Sequence, residues 1–280
     1  MSSFLIGQAA SYSISTQIVT PGGSKRDVGY LMLLEASICG LALLSVIFLF
    51  KNKSDSNIVV VTAHNRRTVK EELVDLFRNW NFILLFSSSF ISAGTGNYFA
   101  VIMEVVVTEH GFSSKEVSYM GVISICTGIV SCIIFSFVTS STQKFKLVCV
   151  CTSGGTLIGY LILYFSLTIG NFLFAALASM VYGFFLMPCY TVPLEYACEI
   201  TFPIRENLTS GLINCFGQVF ALIPVAIAYM FNNEPHKSMA IGFFLQILAF
   251  FLMLGTKEDL KRRDEEYYKK IVDSDSSGIN

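Results

Sequence analysis

The most constraining feature of the sequence is a series of apolar runs, each about 20 residues long or longer. A helix needs about 20 mostly apolar residues to cross the hydrocarbon core of a bilayer. Only 14% of the 280 residues are charged, against about a quarter in soluble domains. The sequence therefore predicts an all-α integral membrane protein. We expect one weaker span at 4–20 and firm spans at 28–50, 80–107, 116–140, 147–168, 171–200, 207–231 and 236–256.

The basic residues assign a direction to these spans. When the 51–79 segment is placed in the cytosol and the spans alternate, 15 of the 19 lysines and arginines fall on the cytosolic side. Cytosolic loops of membrane proteins are enriched in these residues. The pattern predicts that 51–79 and the tail from Lys257 are both cytosolic. The opposite side then has only Lys25, Arg26, Lys115 and Lys237.

Two local patterns predict where helices begin. Ser113-x-x-Glu116 precedes one apolar run, and Thr68-x-x-Glu71 lies within the long polar segment. Both match a capping box, in which the first side chain and the acidic one satisfy each other's backbone donors. The second box predicts a short amphipathic helix on the cytosolic surface, leading to Trp80 as an interfacial anchor. Its apolar side would be formed by Val69, Leu73, Leu76 and Phe77.

Small residues four positions apart occur in two spans, as Ser124 with Gly128 and Gly155 with Gly159. Such pairs let helix backbones approach closely in membranes. They predict close helix packing at these points.

The residues that membrane enzymes commonly use are missing from the predicted spans. His64 and His110 lie in predicted loops, His236 lies at the outer edge of the last predicted span, and no aspartate lies within a span. The sequence has no GxxxxGK[ST] phosphate loop. Its eight cysteines have no CxxC spacing, which argues against a zinc or disulfide framework. We therefore expect no enzyme activity, no cofactor and no metal site.

Glutamates within the predicted spans are candidates for function. A carboxylate in lipid is costly, so such groups normally face a cavity or a partner. Glu195 and Glu199 are spaced i, i+4 and share one helix face, and Pro193 should loosen that helix because it lacks a backbone donor. The pair either lines a polar cavity or gate, or Glu199 simply bonds backbone at the cytosolic helix end. Two further glutamates lie in spans, Glu35 and Glu104.

Neutral polar and aromatic side chains also occur within the spans. Gln8, Asn214 and Gln218 each need a hydrogen-bond partner there, which is either another helix or a substrate. Aromatic residues such as Tyr98 and Phe99 either pack against helices and lipid or form a wall that attracts an organic cation. The residues alone leave both alternatives open.

One stretch, PLEYACEITFPIRENLTSGLINCFGQ at 193–218, resembles a known family. It is similar to the junction between the tenth and eleventh helices of the FLVCR (feline leukaemia virus subgroup C receptor-related) family of the major facilitator superfamily. The chain departs from the family pattern at Thr191, where a proline is usual, and at Asn207, where a glycine is usual. RNWNFILL (78–85), GTG (94–96) and KEDLKRR (257–263) support the match. The matching residues are Glu195, Ala197, Glu199, Ile200, Thr201, Phe202, Pro203, Glu206, Thr209, Ser210, Gly211, Leu212, Asn214 and Gln218.

The resemblance implies a partial major facilitator fold, equivalent to helices 5–12 of 12. Residues 1–50 would be the last two helices of the N-terminal bundle, and 51–79 the cytosolic central loop. Residues 80–256 would form the six-helix C-terminal bundle, and 257–280 a cytosolic tail whose composition is typical of disorder. The first four helices would be missing, as in a fragment or a shortened paralogue.

The resemblance also implies transport of a small organic solute, choline-, ethanolamine- or haem-like, by alternating access at the plasma membrane. Gln8 and Gln218 occupy positions of the family's cavity glutamines, and the aromatic pair Tyr98 and Phe99 lies near its seventh-helix aromatics. The predicted substrate contacts are Gln8, Tyr98, Glu195, Asn214 and Gln218. The alternative is a transport-inactive protein that binds the missing helices or a full-length transporter. The residues predicted to shape or gate the path are Pro193, Glu199, Pro203, Glu206 and Gly211.

Overall fold

A computed structural model describes residues 25–49, 68–230, 234–260 and 262–263. All regular elements in these ranges are α-helices. They are α1 (Lys25–Leu49), α2 (Val69–Arg78), α3 (Trp80–Glu109), α4 (Ser114–Thr142), α5 (Phe145–Ile169), α6 (Phe172–Leu186), α7 (Pro188–Thr201), α8 (Glu206–Met230) and α9 (Pro235–Leu254).

Five helical segments within the described residues are long and apolar enough to cross a membrane. They correspond to five of the predicted spans. Of the other three predicted spans, two form helices, α3 with 30 residues and α1 with a shorter apolar stretch at Gly29–Ser45. The weaker predicted span at 4–20 lies outside the described residues. The five segments are Ser114–Thr142, Phe145–Ile169, Phe172–Thr201, Glu206–Met230 and His236–Leu254.

Helices α3 to α9 pack into one bundle. Helix α3 packs against α7, α8 and α9, while α6 packs against α4 and α5, and α5 also contacts α9. One hydrophobic cluster lies at the end of the bundle where α3 finishes, around Tyr98, Met120 and Tyr160. A second lies where α3 begins, around Phe82 and Tyr196. In α1, none of the side chains whose burial is described is buried.

Small residues allow the closest helix contacts, as their spacing predicts. A Cβ atom on Gly159 would lie 2.9 Å from the Cα atom of Tyr182, so α5 and α6 meet backbone to backbone there. Gly128 of α4 similarly faces Met187 and the Gly183 carbonyl oxygen, the latter 3.1 Å from where its Cβ would be. Larger side chains at these positions would force the helices apart.

Both predicted capping boxes are present. The Glu116 carboxylate accepts from the backbone N–H of Ser113 at 2.8 Å, and the Glu71 carboxylate accepts from that of Thr68 at 3.0 Å. The amphipathic helix α2 follows the second box, as predicted. Its predicted apolar side is only partly packed, because Leu76 is fully buried whereas Val69 and Phe77 stay about half exposed.

Candidate functional site

A polar face lies on the surface of the bundle where α3 and α8 meet. The Asn97 side chain of α3 donates to the Gln218 side chain of α8, with Nδ2 and Oε1 3.2 Å apart. One turn earlier on α8, Asn214 donates to the Ser210 carbonyl oxygen at 3.0 Å. Gln218 and Asn214 are exposed and Asn97 is half-buried. We call Asn97, Asn214 and Gln218 the amide face.

Small residues explain why Asn97 reaches Gln218. A Cβ atom on Gly94 would lie 3.2 Å from the Ala221 nitrogen and 3.3 Å from the Gly217 carbonyl oxygen. A Cβ on Gly217 would lie 3.0 Å from that of Ala93. Because Gly94 and Gly217 have no side chains, the backbones of α3 and α8 can approach closely. Asn97, one turn after Gly94, therefore lies beside Gln218.

A small cavity of about 70 Å³ adjoins the amide face. Helices α3, α4, α5, α6 and α7 all contribute to it. Asn97 belongs to both features, because it lines the cavity and donates to Gln218. The other polar or aromatic lining residues are Phe99, Ser124, Ser179, Tyr182 and Tyr190.

Of the two aromatic residues predicted near the substrate, only Phe99 lines this cavity. Its ring packs edge-on against Tyr160 and Tyr182, with centroids 5.5 and 5.0 Å away. Tyr98 is fully buried, and its hydroxyl donates to the Ser238 carbonyl oxygen of α9 at 2.8 Å. Successive residues on a helix point about 100° apart, so Tyr98 faces α9 when Phe99 faces the cavity. The structure thus brings Phe99, not Tyr98, to this site.

The two glutamates of α7 do not line the cavity. Glu195 is exposed and Glu199 half-buried, one turn apart on the same helix. Pro193 is buried within α7, which continues through it. Helices α6 and α7 meet at Met187, just before Pro188, where the backbone keeps helical dihedral angles. Phe172–Thr201 therefore runs as one membrane-spanning segment, and the loosening at Pro193 stays a prediction.

The remaining predicted gating residues lie in the connection between α7 and α8 or on α8 itself. Pro203 is exposed in it, and Gly211 lies on α8 with open space around the position of a Cβ. Arg205 donates through Nε to both oxygens of Glu72 on α2, at 2.8 and 3.1 Å. Glu206, at the start of α8, pairs with Arg262 of the tail. The motif at 193–218 thus forms one ion pair with α2, through Arg205, and another with the tail, through Glu206.

The start of the tail is also tied to the bundle. Asn81 of α3 accepts from the Lys257 backbone N–H at 2.7 Å and donates to the Lys257 carbonyl oxygen. The Tyr196 hydroxyl donates to the same oxygen at 2.8 Å. Helix α2, the motif and the tail therefore lie at one end of the bundle, as the distribution of basic residues predicts.

Sequence reasoning singled out Asn214 and Gln218 as polar residues within a span but did not single out Asn97. A lone asparagine in an apolar run is a usable signal, because its amide needs a partner inside a membrane. Gln8 lies outside the described residues, so its predicted place beside Gln218 stays a prediction.

The family model of the Major Facilitator Superfamily matches residues 1–225. The chain belongs to this superfamily. Among the relatives of this superfamily member is the choline/ethanolamine transporter flvcr2a of Danio rerio, 26% identical over 86% of this chain and 53% of the relative. Human choline/ethanolamine transporter FLVCR2 is 24% identical over 88% of this chain and 49% of the relative. An uncharacterised MFS-type transporter of Caenorhabditis elegans is 23% identical over 92% of this chain and 46% of the relative.

These matches confirm the resemblance found in the motif at 193–218. This superfamily member is a multi-pass membrane protein with apolar helices typical of the group. The chain spans about half the length of the relatives it matches. This share agrees with a partial superfamily fold.

Proposed function

We propose that the chain forms part of the path of a transporter for a small organic solute of the choline or ethanolamine class. The amide face is the observation that supports this most. Exposed amides on membrane-spanning helices are costly in lipid, so they normally face protein or a water-filled cavity. In a superfamily member, the second helical bundle would lie opposite this face. The space between the two bundles would then be polar.

The charge pattern favours a neutral or cationic solute over an anion. Lysine and arginine are confined to the ends of the predicted spans and the loops, whereas Glu195 lies within a span and is exposed. An anion would need a positive partner at membrane depth, and these spans supply none. The relatives' printed names, choline/ethanolamine transporters, agree with this preference.

The cavity that adjoins the amide face favours a solute with a cationic end. Phe99 and Tyr182 both line this cavity. A cation gains from the faces of such aromatic rings.

We further propose that transport proceeds by alternating access at the plasma membrane. In such carriers the substrate lies near mid-membrane between bundles that rock against each other. Pro188 and Pro193 each lack a backbone donor, which would let the outer and inner parts of this span move separately. The ties of the motif to α2 and to the tail would make these elements move with the bundle.

Uptake of labelled choline and ethanolamine by cells that express the chain tests the proposal. Gln218→Ala should reduce uptake at least tenfold at equal membrane abundance, because it removes an amide of the polar face. Val219→Ala is the matched control, since Val219 is the next residue of α8, 58% exposed and apolar. Uptake unchanged in Gln218→Ala would contradict the assigned face. If the unmodified chain moves neither solute, the partner-binding alternative gains instead.

A further inference from the structure

Two histidines from distant parts of the chain meet at the end of the bundle opposite α2. His110 directly follows α3, and His236 lies in the first turn of α9. Their ring centroids are 5.7 Å apart and the ring planes are inclined at 79°. His110 is half-buried and His236 exposed, so solvent reaches the pair.

Each ring uses its Nδ1 atom for a contact within the protein. His110 Nδ1 lies 2.7 Å from the Val106 carbonyl oxygen. A carbonyl only accepts hydrogen bonds, so this nitrogen holds the proton and Nε2 keeps its lone pair. His236 Nδ1 lies 3.1 Å from the Tyr164 hydroxyl. In the tautomer with the proton on Nδ1, this nitrogen donates a hydrogen bond to the hydroxyl oxygen. In that tautomer both Nε2 atoms are available as ligands.

We propose that His110 and His236 form a binding site for a borderline transition-metal ion, with Zn²⁺ as the probe of choice. Histidine ligands of a metal almost always donate their other ring N–H to a carbonyl, a carboxylate or water, as His110 does here. Two imidazoles that share a zinc ion each hold it about 2.0–2.1 Å from the ligating nitrogen, which leaves the ring centroids about 5–6 Å apart. The observed separation lies within that range.

Water would supply the other ligands of the ion. Among the described residues, no group of three or more His, Cys, Asp and Glu side chains could hold a metal. The nearby Glu234 carboxylate is engaged by the Lys237 ammonium at 2.9 Å. A two-histidine, solvent-accessible site of this kind would join the end of α3 to the start of α9. This role is independent of the transported solute.

Isothermal titration of the purified full chain in detergent, after treatment with a chelator, tests the site. We expect one Zn²⁺ per chain, with affinity reduced at least tenfold by His110→Ala and by His236→Ala. His64→Ala is the matched control, because it removes the remaining histidine of the chain, and it should bind as the unmodified chain does. Tyr164→Phe, which removes the contact of His236 Nδ1, should weaken binding about 10–100-fold.

A second variant of His236 and a second metal ion complete the test. His236→Gln, which preserves a polar side chain of similar size, replaces His236→Ala if the latter does not purify as a folded protein. Co²⁺ should give a visible absorption band that disappears in the same variants. Equal binding by the unmodified chain and both histidine variants, or no binding by the unmodified chain, would overturn the proposal and leave the pair as a packing contact.

Discussion

The ion pair between Glu72 and Arg205 gives the most specific stability prediction. The Glu72 side chain is only 8% exposed, whereas that of Arg205 is 57% exposed. Arg205 donates to both oxygens of the carboxylate, and this pair attaches α2 to the α7–α8 connection. Arg205→Ala would leave a buried carboxylate without its cation.

The expected cost lies between that of a buried and that of an exposed pair. Removing one partner of a fully buried pair costs about 3–5 kcal/mol, whereas exposed pairs contribute about 0.2–1 kcal/mol. Because Arg205 is more than half exposed, solvent screens part of the interaction, and we expect a loss of about 1–2 kcal/mol. At about 2–4 °C per kcal/mol for a chain of this size, Tm should fall by about 2–8 °C.

Thermal unfolding of the purified protein in detergent measures this change. The matched control is Lys237→Ala, whose partner Glu234 lies on the same helix end and whose pair is exposed, at 53% and 55%. Its unfolding free energy should change by about 0.5 kcal/mol or less. Glu72→Ala combined with Arg205→Ala should be less destabilised than Arg205→Ala alone, because no buried charge remains. If Arg205→Ala loses no more stability than Lys237→Ala, the account of this pair is wrong.

Three further variants test individual contacts. Tyr98→Phe removes the hydrogen bond to Ser238 and should cost about 1 kcal/mol in thermal unfolding, with uptake per molecule unchanged; lost uptake at normal abundance would place Tyr98 on the substrate path after all. Gly183→Leu should abolish the folded fraction in size-exclusion chromatography, because its side chain would meet the Ser124 backbone. Gly211→Ala is the control, since a Cβ at Gly211 would lie in open space, and its folded fraction should be unchanged. Equal folded yields of the two variants would contradict the close α4–α6 contact. Ser113→Ala should cost about 1 kcal/mol by loss of the helix cap, and an unchanged Tm would show that the cap contributes nothing.

The helices and their boundaries could be predicted because hydropathy and capping are local properties of the sequence. The Ser113–Glu116 box and the apolar run after it define the start of α4 without knowledge of any other helix. The same holds for α2, whose capping box begins at Thr68. That α2, the 193–218 motif and the start of the tail lie at one end of the bundle was also foreseeable, since the basic residues already place these segments on one side.

The contacts between helices could not be predicted in this way. Hydropathy does not tell which side of a uniformly apolar helix faces a neighbour, so Asn97 and Gln218, on different helices, could not be paired. Adjacent residues of a helix point about 100° apart, and hydropathy could not show that Phe99, rather than its neighbour Tyr98, faces the cavity. The burial of Glu72 was equally hidden, because its partner Arg205 is distant in sequence and its own helix has an exposed apolar side.

The arrangement of the spans across the membrane is the claim on which the transporter account depends, and labelling measures it directly. Single cysteines at Lys70, Lys115 and Arg263, in a variant without the eight native cysteines, would be treated with an impermeant maleimide. We expect Lys115→Cys to react in intact cells, and Lys70→Cys and Arg263→Cys to react only after permeabilisation. Reaction of Lys70→Cys and Arg263→Cys from opposite sides of the membrane would contradict the account.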